Sequence, residues 1–320
     1  MIIDSFKNNL FKSILLVSII IFLLMLVMAS VPPSYFPKKQ IDINISENSS
    51  LSNISNYLFY SGIIKSPFLF KVSVVLMNGQ RGLFAGDYRF TEPQNVFIVA
   101  RRMVKGEQGL PKIKITIPEG TNVYDMAYLY LVKFPNFNAP RFVSLALQYE
   151  GYLFPDTYLF LSNVKPEEVI KVMRNNFNEK IKTIDSEIKS SDRLLGEIIT
   201  MASIVEEEAN NTEDRRIVAG ILWKRLKEGM LLQVDPPFYY ITGKTNGVTY
   251  ADLKIVSPYN TYINKGLPKG PISNPGLDAI KSTLNSIGTS YYFYLTGRDG
   301  IMRYSNDYNG HLINKNVYLK

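Results

Sequence analysis

The sequence predicts an α+β protein with an N-terminal transmembrane helix, a small mixed module and a larger mixed domain. An uncharged apolar run fills residues 14–31, and strand-like alternation recurs between segments with helical spacing. The 320 residues, 46% of them hydrophobic, suffice for two cores. We divide the chain into a cytoplasmic tail (1–13), a transmembrane helix (14–31), a linker (32–39), a module (40–112) and a domain (113–320).

The apolar run ILLVSIIIFLLMLVMASV is about long enough to cross a bilayer. Lys7 and Lys12 precede it against a single Asp4, which predicts a cytoplasmic tail and a chain that is otherwise outside. Lys38 and Lys39 on the far side weaken this asymmetry. A cleaved signal peptide is the alternative, but its apolar core is usually shorter. We therefore favour an uncleaved, single-pass anchor.

Composition excludes several classes of function. The chain has no cysteine, so thiol nucleophiles and cysteine-ligated metals are excluded. Its 36 Lys and Arg against 28 Asp and Glu give a net charge of +8, but the basic residues are scattered, which argues against nucleic acid as a partner. A diffuse positive surface suits anionic lipid or a carboxylate-bearing wall polymer.

Residues 40–112 predict a compact module of strands and short helices. IDINIS alternates as a strand, and LSNISNYLFYSGII has helical spacing that Gly62 closes. A second helix begins at Ser66-Pro67, a short strand surrounds residues 88–90, and a further helix ends at Gly106. Such a module usually binds a ligand or separates other domains, and it does not usually carry an active site.

The larger domain begins with a strand over residues 113–117 and a turn at Pro118-Glu119-Gly120. Thr121 or Asn122 then caps a helix. Asp156 lies among aromatic residues, and we interpret it as a turn or cap residue. Residues 164–184 predict an amphipathic scaffold helix.

The stretch from residue 194 to 235 carries the strongest chemical signal. An apolar helix ends in three carboxylates, of which Glu206 and Glu208 lie on opposite shoulders of the buried face and Glu207 points away from it. Loss of solvent raises a carboxyl pKa, which suits a proton donor near neutral pH. The alternative is an acidic cluster that only solvates a helix end. The periodicity does not choose between the two outer glutamates.

After the triplet, Asn211 or Thr212 caps a second helix that ends at Gly229, so the two helices predict a hairpin. Gln233 and Asp235 are expected to end a short strand before two prolines, where they either line a groove or terminate the strand.

Residues 257–276 predict a long, ordered irregular loop. A helix, a strand and its hairpin partner follow the loop. His311 is the single histidine of the chain, and we expect it to have a structural role.

Six segments occur in the order and spacing of one known family. They are AGDYRF, ITIPEGT, LFPDTYLF, MASIVEEE, EDRRIVAGILWKRLKEGMLLQVDP and SPYNTYINKGLPKGPISNPG. On these segments, the chain resembles the endolytic murein transglycosylases, the MltG or YceG-like family. The resemblance implies that residues 40–112 form a LysM-like subdomain and residues 113–320 a YceG-like catalytic domain. Gly300-Ile301-Met302 departs from the family's Gly-Gly-His stretch, whereas His311 matches its later histidine.

The resemblance implies a single-pass enzyme of the inner membrane with a periplasmic catalytic domain. It would cleave the bond between N-acetylmuramic acid and N-acetylglucosamine in nascent peptidoglycan, leave 1,6-anhydro ends, and cooperate with peptidoglycan synthases. Alignment of the hairpin matches the family's catalytic glutamate to Glu208, with Glu206 as partner or substitute. No metal or cofactor is implied. The candidates for binding the sugars and the developing charge, chosen by residue type, are Gln233, Asp235, Tyr259, Asn260 and Thr261, with stabilisation of the loop as the alternative role for each.

Two alternatives remain open at this point. A muramidase-type hydrolase would use Glu208 with Asp235 or Glu206 as the second carboxylate. A non-enzymatic wall-binding anchor or assembly factor would use the acidic cluster only for structure. Analysis of the glycan ends separates the two enzymes, and absence of cleavage would favour the third function.

Overall fold

The computed structural model describes residues 2–36, 40–79, 82–244 and 247–319. The contacts of the chain divide it into two compact units, Met1–Pro111 and Lys112–Lys320. The predicted mixed α+β class is confirmed. Three residues of the predicted linker, Pro37, Lys38 and Lys39, lie outside the described residues.

The first unit combines one long helix with a small α+β arrangement. Its elements are α1 (Ile2–Ser30), β1 (Ile41–Ile45), α2 (Leu51–Tyr60), α3 (Pro67–Leu76), β2 (Gly86–Phe90) and α4 (Val96–Lys105). The strands β1 and β2 are antiparallel, with Ile43 opposite Tyr88. Side-chain oxygens of Ser50, Ser66 and Asn95 cap the three short helices. Local sequence signals therefore set the beginnings of these helices.

Helix α1 contains a segment, Phe11–Ser30, with a mean hydropathy of 2.9 that is long and apolar enough to cross a membrane. A signal sequence near the N-terminus can meet the same criteria of length and hydropathy. Ala29, near the end of the helix, is only 2% exposed and belongs to the core of the first unit. The end of α1 is therefore packed against its own unit.

In the first unit, buried side chains alternate with more exposed ones along β1 and β2, and the buried ones form part of the core. Ile43, Ile45, Tyr88 and Phe90 are buried, whereas Asp42 lies on the other face and pairs with Arg89. Fully buried side chains from α2, α3 and α4 complete the core: Leu58, Phe70, Val74, Val99 and Met103.

In the described residues of the second unit, two antiparallel strand pairs accompany a series of helices. Its elements are β3 (Lys112–Thr116), α5 (Val123–Lys133), α6 (Ala139–Ala146), β4 (Thr157–Leu161), α7 (Pro166–Lys182), α8 (Asp185–Ser190), α9 (Leu195–Glu208), α10 (Thr212–Lys227), α11 (Pro236–Thr242), α12 (Leu277–Leu284), β5 (Phe293–Thr296), β6 (Met302–Ser305) and α13 (Tyr308–Tyr318). The pairs are β3 with β4 and β5 with β6. An aromatic cluster around Tyr130 packs β3 and β4 against α5, α6 and α7.

The predicted helical hairpin is formed by α9 and α10. The apolar residues Met201, Val205 and Leu222 are fully buried in the core that the two helices share. Asn211 caps α10, since its Oδ1 accepts a hydrogen bond from the Asp214 N–H at 2.9 Å. The hairpin places the glutamate triplet at the end of α9, directly before the bend.

One element prediction is wrong. Residues 230–235 form no strand, and Pro236 and Pro237 begin helix α11 instead of stopping a strand. Proline suits the first helical positions because its missing N–H would lack a partner there in any case. The segment that carries Gln233 and Asp235 is thus an extended connection held by its neighbours.

Candidate active site

Glu206 is engaged in a buried ion pair. Its side chain is 5% exposed and accepts hydrogen bonds from Arg215 Nη2 and from the Gly276 N–H, the latter at 2.8 Å. Arg215 also donates to Asp278 Oδ2 at 2.7 Å and to the Ala209 carbonyl at 3.0 Å. Glu206 therefore connects α9, α10 and the start of α12, and both of its carboxylate oxygens are occupied by protein donors.

The segment that contacts Glu206 is itself held by a buried network around Asn274. The Asn274 Nδ2 donates to Glu150 Oε1 at 2.7 Å and to the Thr121 carbonyl at 3.0 Å. Glu150 also accepts from the Val123 N–H at 3.1 Å, and burial raises its pKa to about 7. This network therefore joins the predicted turn at residues 118–120 to the end of the long loop of residues 257–276.

Glu207 is exposed, as the helical periodicity predicted, and borders a cavity of about 270 Å³. Although the residue as a whole is exposed, its carboxyl lies against Gly120 in this cavity, where desolvation first, and the charges of Glu206 and Asp125 second, raise its pKa to about 7. Gly120, at φ +78°, lies so close that a Cβ there would be 2.4 Å from Glu207 Oε1. The glycine of the ITIPEGT segment therefore leaves the room that this carboxylate occupies.

Glu208 lies in a different cavity, of about 370 Å³. The residues that line this cavity are Glu208, Arg225, Gln233, Val234, Asp235, Tyr262, Phe293, Tyr294, Leu295, Tyr308, His311, Lys315 and Leu319. Desolvation first, and the charge of Asp235 second, raise the pKa of Glu208 to about 7. A hydrogen bond from Tyr294 and the charge of Arg225 oppose this shift. The carboxyl is thus near half protonation at neutral pH, as general acid–base catalysis requires.

Asp235 and Gln233 reach this cavity because the long loop holds their segment. The Gln233 N–H donates to the Thr261 carbonyl at 3.1 Å, and the Val234 N–H donates to Thr261 Oγ1 at 3.2 Å. Gln233 has φ +49°, a left-handed conformation that costs energy for a residue with a side chain. Tyr262 Oη then donates to Asp235 Oδ1 at 2.7 Å, which fixes the orientation of the carboxylate.

The structure assigns Asn260 and Thr261 to the loop interior, so direct sugar contact by their side chains is not supported. Both are buried, at 0% and 1% exposed. The Asn260 Nδ2 donates to the Leu253 and Ile255 carbonyls, its Oδ1 accepts from the Tyr262 N–H, and Thr261 Oγ1 donates to the Val234 carbonyl. Their polar groups are thereby satisfied, and they position Asp235 and Gln233 instead.

Tyr259 lies away from the cavity that contains Glu208. Its ring packs against Tyr240, with centroids 5.2 Å apart, next to the buried Glu150. Tyr240 lines the smaller cavity that Glu207 borders. Of the five predicted binding residues, the structure therefore places only Gln233 and Asp235 beside Glu208.

Arg225, Tyr262 and Tyr294 line the same cavity but were not predicted from the sequence. Arg225 is 5% exposed and donates from Nη1 to the Leu232 carbonyl at 2.6 Å and from Nε to the Tyr292 carbonyl at 2.9 Å. A signal for it existed, because residues 218, 222 and 225 share the buried face of α10 and a cation there needs partners. Tyr294 gave no such signal in a strand rich in aromatic residues.

His311, on α13, lines the same cavity as Glu208. Its ring stacks on Phe293 with centroids 5.4 Å apart. Desolvation and the charges of Lys315 and Arg225 lower its pKa, so the ring is neutral at neutral pH. In the part of the chain that the structure describes, no group of three His, Cys, Asp or Glu side chains is arranged to hold a metal ion.

Comparisons with known proteins agree on one family. A family model described as "YceG-like family" matches residues 43–317. An endolytic murein transglycosylase of Bacillus subtilis is 31% identical over 310 residues, which cover 88% of this chain and 86% of that protein. An endolytic murein transglycosylase of Streptococcus pneumoniae is 28% identical over 320 residues, and the match covers 86% of this chain but 57% of the pneumococcal protein.

A solved structure also resembles the chain. The crystal structure of a yceG-like protein from Listeria monocytogenes matches with a TM-score of 0.58 at 28% identity. The match covers 87% of this chain and 99% of the Listeria chain.

Proposed function

The chain belongs to the YceG-like family, and from this premise we propose that it is an endolytic lytic transglycosylase that cleaves peptidoglycan glycan strands. The B. subtilis and S. pneumoniae relatives carry the name endolytic murein transglycosylase. We assign the proton-transfer role to Glu208, with Asp235 and Gln233 as its neighbours in the substrate cleft. The other loop candidates, Asn260 and Thr261, support these two residues.

The observation that carries this assignment is the environment of Glu208. It borders a cavity of about 370 Å³ together with Asp235 and Gln233, and its pKa is raised to about 7. The pKa of Glu207 is also raised to about 7, but the smaller cavity that it borders contains neither Asp235 nor Gln233. A carboxyl with that pKa is about half protonated at neutral pH, whereas one with an ordinary pKa is almost fully ionised. Glu206 is less suited, because Arg215 and the Gly276 N–H already occupy both of its oxygens.

The proposed reaction needs one carboxyl group. Protonated Glu208 gives its proton to the oxygen that bridges N-acetylmuramic acid and N-acetylglucosamine as this bond breaks. The resulting carboxylate then accepts the proton of the muramic acid C6 hydroxyl, whose oxygen bonds to C1 and closes the 1,6-anhydro ring. Asp235, oriented by Tyr262, faces the positive charge that develops on the sugar. Glu208 ends the cycle protonated, and no water is consumed.

The presence of Asp235 in the same cavity also favours a second candidate, a two-carboxylate hydrolase. The test is digestion of purified glycan strands in heavy-oxygen water, followed by mass spectrometry of the new ends. A transglycosylase leaves anhydro-muramic ends without the heavy isotope. A hydrolase leaves reducing ends that carry it, and no cleavage at all would contradict both enzyme assignments.

The remaining parts of the proposal concern location and organisation. The segment Phe11–Ser30 is proposed to be an uncleaved inner-membrane anchor, with the catalytic domain outside the cytoplasm. Residues 40–112 are proposed to form a LysM-like module, and residues 113–320 are proposed to form the catalytic domain. The enzyme is proposed to cooperate with peptidoglycan synthases. The intact mass of the chain extracted from membranes tests the anchor, since a cleaved signal peptide would remove this segment.

The cleavage rate is expected to fall as the pH rises through about 7, because Glu208 must begin the reaction protonated. Asp235 raises the pKa of Glu208 and Tyr294 lowers it. The Asp235→Asn change should therefore move the alkaline limb of kcat/KM to lower pH, and Tyr294→Phe should move it to higher pH. The measurement is the pH profile of kcat/KM for each variant.

Tyr291→Phe is the matched control, since the Tyr291 ring stacks on Tyr304 and does not border the Glu208 cavity. His311 does not produce this limb, because its pKa is lowered from 6.5 and its titration lies on the acid side. Movement of the limb in the same direction in both variants would contradict the assignment of Glu208 as the acid.

A further inference from the structure

Helix α13 forms one wall of the cavity that contains Glu208. It packs on β5 and β6, and its first turn is capped by Asp307, whose Oδ1 accepts a hydrogen bond from the Gly310 N–H at 2.8 Å. The residues that it contributes to the cavity share one helical face and are Tyr308, His311, Lys315 and Leu319. A capped and packed helix therefore holds this wall in place.

Lys315 presents a positive charge to the cavity. It is exposed, and within the part of the chain that the structure describes its ammonium forms neither an ion pair nor a hydrogen bond. Arg225 also borders the cavity, but it donates to the Leu232 carbonyl at 2.6 Å and to the Tyr292 carbonyl at 2.9 Å. Desolvation first, and the charge of Lys315 second, lower the pKa of His311, so this neighbouring ring is neutral at neutral pH. Lys315 is therefore the cation that an anionic ligand can reach.

The negative and positive groups of the cavity lie on different elements. Glu208 ends α9 and Asp235 precedes α11, whereas Lys315 is on α13. The largest charge effects on the pKa of Glu208 come from Asp235 and Arg225. The charge of Lys315 acts on His311 instead. An anionic group of a bound ligand is therefore favoured on the α13 side, because the two carboxylates repel it from theirs.

The proposed substrate carries an anionic group on the matching edge of its ring. In the proposed reaction, Glu208 exchanges protons with the bridging oxygen at C1 and with the C6 hydroxyl of N-acetylmuramic acid. C1 and C5, which carries C6, flank the ring oxygen, and C3 lies opposite that oxygen across the pyranose ring. C3 bears the lactyl ether, which ends either in a free carboxylate or in a stem peptide with carboxylates of its own. With C1 and C6 toward Glu208, this substituent points toward the other side of the cavity.

We propose that Lys315 binds a carboxylate of the substituent at C3 of N-acetylmuramic acid and so favours strands that carry this charge. The inference deepens the proposed function and rests on it, because it concerns the same cleft. Lys315 would contact a part of the substrate that does not react, so the ion pair stabilises the bound substrate and the transition state equally. Loss of the ammonium should therefore raise KM and leave kcat unchanged.

The test compares Lys315→Met with the wild type, both as the full chain, on purified glycan strands. The substrates are strands with their stem peptides, strands stripped of peptides by an amidase, and both kinds after coupling of their carboxyl groups to methylamine. Lys315→Arg keeps the charge. Lys281→Met is the matched control, because Lys281 is exposed on α12 and does not border this cavity. KM and kcat are measured from the release of new glycan ends at low ionic strength.

The expected result for Lys315→Met is a KM raised by about tenfold on strands with free carboxylates, since one charge-assisted contact is lost. Lys315→Arg and Lys281→Met should keep the KM of the wild type, and on the methylamide strands Lys315→Met should do so as well. A rise with peptide-bearing strands alone assigns the carboxylate to the stem peptide, and a rise with stripped strands alone assigns it to the lactyl group. A rise with both would mean that either carboxylate reaches Lys315.

An unchanged KM for Lys315→Met on both kinds of charged strand would overturn the proposal. An equal rise on the methylamide strands would also overturn it, and so would the same rise in Lys281→Met, because general attraction by positive charge would then explain the result. In these cases the wild type still cleaves, so the proposed function stands. Absence of cleavage by the wild type would contradict the proposed function, and this inference with it.

Discussion

The Glu208→Gln variant is expected to lose glycan cleavage, with turnover reduced by about 10²- to 10⁴-fold, the usual contribution of a general acid–base residue. Glutamine preserves the shape of the side chain and the contact with Tyr294. It cannot, however, give a proton to the bridging oxygen or accept one from the C6 hydroxyl. The measurement is the release of new glycan ends from purified strands at pH 7.

The matched control is Glu207→Gln, which changes the neighbouring carboxylate in the other cavity and should retain cleavage. Folding does not confound the comparison. The pKa of Glu208 is raised to about 7 from 4.5, so its ionisation destabilises the fold as the pH rises from 4.5 through 7. At pH 8, the Glu208→Gln variant should therefore melt no lower than the wild type. Full activity in Glu208→Gln, with loss of activity in Glu207→Gln, would move the catalytic role to Glu207.

Elements whose limits depend on local signals could be predicted from the sequence. Asn122 and Asn211 cap α5 and α10 through N–H groups two or three residues along the chain, and Gly106 ends α4 in a left-handed conformation. These interactions need no knowledge of the fold. Helix α13 was missed because its polar sequence has no apolar period, although the Asp307 cap was a local signal for it.

The directions of the three glutamates could be predicted only in part. Helical periodicity distinguishes Glu207 from its neighbours, but Arg215 and the Gly276 N–H, which neutralise and hold Glu206, lie 9 and 70 residues away. Tyr294 reaches Glu208 by pairing of β5 with β6, which no local pattern specifies. The tertiary contacts of Glu206 and Glu208 therefore decide which of the two can act as a proton donor.

The loop residues show the same limit for binding sites. Asn260 and Gln233 are both amide side chains suited to sugars. Asn260 is fully buried with its amide bonded to backbone carbonyls, whereas Gln233 is exposed in the cavity. Residue type alone could not separate them, because the difference lies in whether the loop itself uses their polar groups.

The Arg215→Met change is expected to lower the free energy of unfolding by about 3–5 kcal/mol, the usual cost of removing one partner from a buried ion pair. The Glu206 side chain is 5% exposed and would keep the Gly276 N–H as its remaining donor from this site. Calorimetry should show a melting temperature lower by roughly 10 °C, given the size of the second unit. The loss should be larger at pH 8 than at pH 5, because without its cation the pKa of Glu206 rises and protonation removes the buried charge.

Arg216→Met provides the control, since Arg216 is on the same helix and its Nε donates to the Asn285 carbonyl, at 2.8 Å. Its loss should cost only about 1 kcal/mol with little dependence on pH. The double variant with Glu206→Gln should recover much of the stability lost in Arg215→Met, because the unpaired charge is then absent. An equal loss for Arg215→Met at both pH values, unchanged by Glu206→Gln, would mean that Arg215 acts through packing and its bonds to Asp278 and Ala209. Glu206 would then be free to exchange a proton and would remain a candidate for the proton donor beside Glu208.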